Sequence, residues 1–345
     1  MKEYTLSPID KSNIPSIIKV ARNAFGAGVE LFIPKKNIWG FYAHHGDDIG
    51  GAVFIRKTSI NEGFVDWIFV DPSAQGHRLG ARLMDISTQT LQDEGCSVQF
   101  ALVNDFNTAS WNMFAKRGFK QLSVMKSILG YKLGSLPTRL MYSMITGYSV
   151  WVKDDSQSKK PMHPNRFPLL KTLLYSLFVG MALSLFSLRG IEYFYVATSM
   201  VVIATFLRII VSYPIARSYG KVRFDAAQGG TVLATLIAFL GSWWPTFGSF
   251  MPAEDLWIEK DFRKVNAWAK VASLLSLVGL YIASAVLLPE LFDSALQFYL
   301  GFVIAVQLLP AFPLDGMDGA SIYKYNKLLY LATLTVSVLA LIVFI

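Results

Sequence analysis

The sequence predicts two unlike parts: an α/β fold, then an all-α polytopic membrane domain of about five spans plus a re-entrant segment. Three observations carry this. Strand-like and helix-like patterns alternate through residues 1–153. Six long uncharged runs fill the remainder. Charge is divided unevenly, with 20 Lys+Arg and 14 Asp+Glu in residues 1–168 but 12 and 10 in 169–345, where they sit between apolar runs.

The elements follow in order. Residues 3–6 form a short strand. Residues 12–25 form a helix opened by Ser12 as a cap, with Ile14, Ile17, Ile18 and Ala21 on one face. Residues 38–43 and 52–57 are strands around a turn that holds Gly46, Asp47 and Asp48, and residues 64–70 are a third. Residues 80–94 form a helix, 97–103 a strand, 108–117 a helix, and 121–131 and 148–153 strands. Residues 154–168, DDSQSKKPMHPNRFP, are polar with three prolines and read as a linker.

Beyond the linker, uncharged runs occupy 172–188, 193–207, 226–253, 271–289, 294–314 and 328–345. A helix needs about 20 mostly apolar residues to cross a bilayer. The third run contains Gly229, Gly230, Gly241, Pro245 and Gly248, which argues against a straight helix, and Lys260, Arg263, Lys264 and Lys270 follow it. Full crossing would place these bases outside, against the positive-inside rule. The run is therefore expected to be re-entrant or broken within protein. The basic segments then lie in the cytosol. The N-terminus, MKEYTLSPIDKSNIPS, lacks an apolar core, so no signal peptide is expected and the first domain is placed in the cytosol.

The formal net charge of +8 suits cytosolic loops of a membrane protein, and no Lys/Arg cluster interleaved with aromatics points to nucleic acid. Cys96 is the only cysteine, which excludes an intrachain disulfide. It reads as a small buried residue, and His44 and His45 as exposed loop residues.

Residues 65–83, VDWIFVDPSAQGHRLGARL, carry the first chemical signal. A strand ends at Val70, a turn follows, and a helix starts within 75–80. The unpaired N–H groups of a helix start form an anion site fit for a pyrophosphate. Gly76 and Gly80 remove side chains where phosphates approach, and His77 and Arg78 add positive charge. This stretch resembles the pyrophosphate signature of the GNAT acetyltransferase superfamily, Gln/Arg-x-x-Gly-x-Gly/Ala. Gln75 and Gly80 match, while Arg78 stands where the first glycine usually does. Residues 107–119, NTASWNMFAKRGF, are similar to a later motif of the family through Asn107, Ser110, Phe114, Gly118 and Phe119.

The resemblance covers 1–153 and implies an α/β fold with a mixed central sheet and flanking helices, and acetyl-CoA as co-substrate. It implies cofactor contacts from Phe69, Val70, Gln75, Gly76, His77, Arg78, Leu79, Gly80, Ala81, Asn107, Ser110 and Phe114. The family's frequent general acid, a Tyr, aligns with Phe114, which has no proton to give. This removes a contribution of about 10²–10⁴-fold. Asp66 is the candidate base, against the reading of a solvated strand carboxylate.

Residues 308–319, LLPAFPLDGMDG, place Asp315 at the end of an apolar segment, by default a functional-site hypothesis. They resemble the Leu-Asp-Gly motif of the site-2 protease family, in which that Asp ligates zinc. Residues 208–220, RIIVSYPIARSYG, then fall where that family carries HExxH, with Arg208 and Ser212 at the histidine positions. All four histidines, His44, His45, His77 and His163, precede the first span, so a two-His zinc site within the membrane part is excluded. The resemblance thus implies a degenerate protease without zinc. Arg208 is expected either to pair with Asp315 or to snorkel to the interface.

Residues 1–153, 154–168 and 169–345 are accordingly expected to be acetyltransferase domain, linker and membrane domain. The expected function is acetyl transfer to an amine of a protein, a small molecule or a lipid-linked acceptor. The alternative is an acyl-CoA sensor whose membrane domain binds a partner's transmembrane helix.

Overall fold

The computed structural model describes residues 3–26, 29–31, 33, 39–145, 147–154, 167–186, 191–225, 231–240, 242–244, 248–253, 258–287, 294–310 and 316–344. The chain divides into two compact units. One comprises Met1–Val103, Ala109–Arg139 and Ser149–Pro164; the other comprises Asn104–Thr108, Leu140–Tyr148 and Asn165–Ile345.

The first unit follows the order β1 (Thr5–Pro8), α1 (Ile14–Phe25), β2 (Trp39–His45), β3 (Asp48–Lys57), β4 (Glu62–Val70), α2 (Leu79–Asp93), β5 (Val98–Asn104), α3 (Thr108–Ala115), β6 (Lys120–Gln121), α4 (Val124–Leu129), α5 (Leu136–Ser143) and β7 (Tyr148–Asp154). The strands form one mixed sheet in the order β1-β2-β3-β4-β5-β7-β6. Strands β1 to β4 pair antiparallel, and β4 pairs parallel with β5. Alternate residues of β3 serve opposite faces, as a pleated strand dictates. Val53 and Ile55 join Leu79, Leu83, Met84 and Trp111 on one face, while Ala52 and Phe54 join Ile17, Val20 and Ala21 on the other.

Two expectations fail here. Ser12 does not cap α1: its hydroxyl donates to Asp10 Oδ1 at 2.5 Å, and Asn13 occupies the cap position without a side-chain bond. The strand expected over 121–131 ends at Gln121. Ser123 then caps a short helix, its Oγ accepting from Lys126 N–H at 3.4 Å, and local capping overrides strand propensity.

The second unit contains α6 (Pro168–Phe186), α7 (Ile191–Arg217), β8 (Val222–Asp225), α8 (Thr231–Phe239), β9 (Ser249–Pro252), α9 (Glu259–Leu287), α10 (Ser294–Gln307), α11 (Asp318–Tyr325) and α12 (Lys327–Val343). Its core gathers Leu183, Val201, Leu274, Leu277, Tyr281 and Leu300 from four helices. Among the described residues two helical segments, Phe194–Arg217 and Lys260–Leu287, are long and apolar enough to cross a membrane; Pro168–Ser184, Gln297–Gln307 and Lys327–Val343 are shorter apolar helices. The expectation of about five spans thus stands at two by length and composition. Over 226–253 the described residues form the nine-residue α8 and then β9, which pairs antiparallel with β8. Gly229, Gly230, Gly241 and Pro245 lie outside the described residues. The basic stretch 260–270, expected to be cytosolic, forms the first part of α9, and Lys270 is buried.

Candidate acyl-CoA site and a buried ion cluster

The site in the first unit begins with an irregularity in β4. Phe54 faces Trp67 and Ile55 faces Val65, so Asp66 is an extra residue, a β-bulge. A bulge bends its strand. The parallel ladder with β5 runs from Glu62↔Val98 to Val65↔Ala101 and stops there, although β4 continues to Val70 and β5 to Asn104. The two strands separate beyond the bulge, and this edge of β4 at Phe69 and Val70 carries no described pairing with β5.

Asp66 sits at the root of that opening. Its two carboxylate oxygens accept from Arg56 Nε and Nη2, each at 2.9 Å, and its side chain is 4% exposed. The solvated carboxylate of the second sequence reading is therefore corrected to a buried ion-paired one, and the candidate base has both oxygens engaged.

The turn after β4 is held by its own polar groups. Asp71 accepts from Ser73 N–H at 2.9 Å, from Ser73 Oγ at 2.6 Å and from Asn23 Nδ2 at 2.9 Å. These bonds hold its carboxyl below the usual carboxylate range, Asn23 contributing most. Gly76 adopts φ +86°, a left-handed conformation with open space where a side chain would stand. Arg78 has φ 55°, the only non-glycine residue with positive φ among the described residues. This explains why a glycine suits the position: an L side chain there costs about 1–2 kcal/mol.

Arg78 is the N-cap of α2 and makes no side-chain capping bond. The first N–H groups of the helix, at Leu79, Gly80 and Ala81, therefore form an uncapped donor set with the positive end of the helix dipole behind it. A Cβ at Gly80 would meet only Met113 Sδ at 3.5 Å and Val70 Cγ2 at 3.7 Å, ordinary contacts, so protein packing does not demand a glycine. Leu79, 2% exposed, anchors the helix start in the core.

His77 packs beside Tyr4, ring centroids 5.5 Å apart, and lines a cleft of about 540 Å³ with Tyr4, Asp48, Ile49, Asp71 and Ser73. Gln75 precedes Gly76 in extended conformation. In the later motif, Asn107 donates its N–H to Asn104 O at 3.1 Å just before α3, and Ser110 lies in the first turn of α3. Phe114 is 2% exposed and packs edge-on against Phe119 at 5.2 Å. Its ring belongs to the core.

The second unit contains a buried ion cluster. Arg208 on α7 forms an ion pair with Asp318 at the start of α11, and its Nε donates to Ser273 Oγ at 2.6 Å. Ser273 Oγ donates to Asp318 Oδ2 at 3.0 Å, and Lys270 Nζ lies 3.1 Å from Asp318 Oδ1 and donates to Ser249 Oγ at 2.6 Å. Asp318 N–H donates to Gln307 Oε1 at 3.0 Å. Arg208, Lys270 and Asp318 are 3%, 5% and 1% exposed, so Arg208 does not snorkel to an interface. Asp315 lies outside the described residues. Ser212 turns its hydroxyl to Ala269 O at 3.1 Å and, with Thr205, Arg208, Asn266 and Lys270, lines a cavity of about 20 Å³, room for about one water.

Sequence reasoning missed Lys270, Ser273 and Asp318. A signal was present in the second Asp-Gly pair of LDGMDG. Gly319 is required there, because a Cβ would run into the carbonyl of Leu308.

Residues 24–119 match the acetyltransferase (GNAT) family. No curated protein matches the chain. Among solved structures, the chain is similar to the ribosomal-protein-S18-alanine N-acetyltransferase from Escherichia coli, at 15% identity over 47% of this chain and 99% of that one, with a TM-score of 0.35. It is similar also to a GNAT family acetyltransferase from Elizabethkingia anophelis with acetyl-CoA bound, at 11% identity over 45% and 99%, with a TM-score of 0.34. A third is the N-acetylglutamate synthase from Neisseria gonorrhoeae complexed with coenzyme A and N-acetyl-glutamate, at 20% identity, 44% of this chain, 35% of that one and a TM-score of 0.35.

Proposed function

We propose that this chain, whose residues 24–119 are a GNAT acetyltransferase domain, is a membrane-anchored N-acetyltransferase that moves an acetyl group from acetyl-CoA to an amine. The observation that carries the reading is the opening of β4 from β5 leading into the uncapped start of α2. The N–H groups of Leu79, Gly80 and Ala81 would hold the pyrophosphate, with Gly76 leaving the approach open and Arg78 adding charge. Backbone groups at Phe69 and Val70 would take the pantetheine arm and polarise the thioester carbonyl.

The chain's contribution is then proximity and polarisation. A neutral amine attacks the carbonyl carbon, the C–N bond forms, the C–S bond breaks, and CoA leaves as thiolate. Phe114 supplies no proton, and the Asp66 carboxylate is held by Arg56, so the ammonium proton goes to solvent. In this reading Asp66 shapes the cleft.

The two membrane-length segments support a bilayer setting for the second unit, and the basic segments at 217–223, 260–270 and 324–327 support a cytosolic first unit. Arg208, Ser212 and Asp315, at the positions of a zinc site in the family that the sequence resembles, support a proteolytically inactive anchor or presenter of a transmembrane helix. An acyl-CoA-binding adaptor without turnover is the second reading, favoured by the core position of Phe114.

Calorimetric titration of the detergent-solubilised full chain with acetyl-CoA, followed by thiol release against an amine panel, separates the two. Binding with turnover supports the enzyme. Binding without turnover supports the adaptor, and no binding by folded protein overturns both.

A further inference from the structure

The first unit displays its exposed apolar side chains in one place. Ile60, Leu129 and Leu133 are 85%, 73% and 79% exposed, and the other exposed large hydrophobic residues among the described residues of β1 to β7 are Met141 at 50% and Phe25 at 37%. Ile60 sits in the turn between β3 and β4; the two leucines sit in the excursion between β6 and β7. These segments lie side by side. Lys132 N–H donates to Glu62 Oε1 at 3.1 Å, and a Cβ at Gly134 would lie 3.5 Å from Ser59 Cβ.

A buried polar frame fixes this display. Arg139, 0% exposed, donates to Ser127 O, to Lys132 O at 2.5 Å and to Ser135 Oγ at 2.9 Å. Its guanidinium lies 5.6 Å from the ring centroids of both Phe100 and Tyr131. Tyr131 packs edge-on against Phe100 at 5.0 Å, so it faces inward while Leu129 and Leu133 on either side face out. The leucines are held outward by structure beneath them.

Charge beside the two leucines is basic, while the exposed Glu94 lies behind the Ile60 turn and pairs with Lys57. Lys126 and Lys132 are exposed beside the leucines, and no acidic residue occurs between Asp105 and Asp154. Glu62 is 1% exposed and engaged by Ser59 and Lys132, while Lys57 is bound to Glu94. Three side chains fall short of a stable protein interface, which buries on the order of 1,200 Å² or more. Aliphatic tips flanked by lysines suit the headgroup–acyl boundary of an anionic bilayer.

We propose that the tip formed by Ile60, Leu129 and Leu133 docks on an anionic lipid surface, with Lys126 and Lys132 meeting headgroup phosphates. The inference rests on the membrane reading of the second unit, and it would bring the catalytic unit down onto the bilayer that anchors it.

The test is Leu133→Cys in the full chain, labelled with an environment-sensitive fluorophore and reconstituted in nanodiscs. Cys96, the only native cysteine, is 1% exposed, so the label is selective. In phosphatidylcholine–phosphatidylglycerol discs, emission should shift to the blue and be quenched by doxyl-labelled lipid. Lys126→Glu with Lys132→Glu should weaken the quenching, and a label at exposed Asp47, at the opposite end of β3 from Ile60, should stay unquenched. A label at 133 that stays unquenched overturns the proposal; a blue shift without quenching means a protein contact and overturns it too. A chain that stays soluble without detergent and enters no disc shows instead that the membrane reading fails. Flotation of that soluble chain with anionic vesicles, lost in Leu129→Ser/Leu133→Ser, would still support the tip, and no flotation would overturn it.

Discussion

Replacing Asp66 by Asn and Arg56 by Gln, singly and together, decides whether Asp66 is a base or a staple for the bulge. The pair has two bonds of 2.9 Å, and its partners differ in exposure, 43% for the Arg56 side chain and 4% for Asp66. A hydrogen bond to a charged group contributes about 1.5–3 kcal/mol when shielded. Water at Arg56 brings the pair to the lower end, a coupling of about 1–2 kcal/mol. Arg56→Gln should destabilise more than the coupling alone, because it leaves a buried carboxylate without its cation, an added cost of about 1–3 kcal/mol. Denaturant titration of the full chain in detergent, read by limited proteolysis of the first unit, gives the double-mutant cycle. Calorimetry gives acetyl-CoA affinity for the same proteins. A staple predicts that both single variants weaken binding together, by up to about tenfold for each 1.4 kcal/mol transmitted to the cleft. A coupling below about 0.5 kcal/mol, or unchanged affinity in both variants, refutes the staple. Loss of turnover in Asp66→Asn alone, with binding intact, would make Asp66 the base.

Other perturbations give sharp expectations. Arg78→Gly should be more stable than Arg78→Ala by about 1 kcal/mol, because only glycine relieves the left-handed backbone at φ 55°; equal melting temperatures would remove the strain argument. Gly80→Glu should leave the melting temperature nearly unchanged, since an added Cβ meets only ordinary contacts, yet abolish acetyl-CoA binding by placing a carboxylate at the phosphate donors. Asp71, with its folded pKa below the unfolded value near 3.9, contributes stability above that value and loses it as pH falls through the folded pKa. Asn23→Ala should therefore lower stability at neutral pH, and its difference from the parent should close in strong acid; a pH-independent difference would contradict this. Asp318→Asn leaves Arg208 and Lys270 without a buried carboxylate partner and should destabilise the second unit by about 3–5 kcal/mol, read as a lower melting temperature in detergent.

Local chemistry made much of this protein legible. The alternation of strands and helices up to α3, the turn at residues 71–78 and the glycine positions follow from near neighbours along the chain, as do the apolar runs. Phe114 shows where such reading stops: its spacing fits a cofactor motif, but only packing against Phe119 shows that the ring is core. Residues 121–131 have strand composition, yet a serine cap and the Arg139 frame turn them into helix and loop.

The sequence by itself determined the α/β class of the first unit, the glycine-bearing turn into α2, the apolar character of the second unit and its lack of histidine after His163. Tertiary structure alone decided that Asp66 is paired, that Lys270 is buried and that Arg208 meets Asp318. The physical reason is separation along the chain. Arg208 and Asp318 stand 110 residues apart, and a buried charge is tolerable only where folding brings its partner to it.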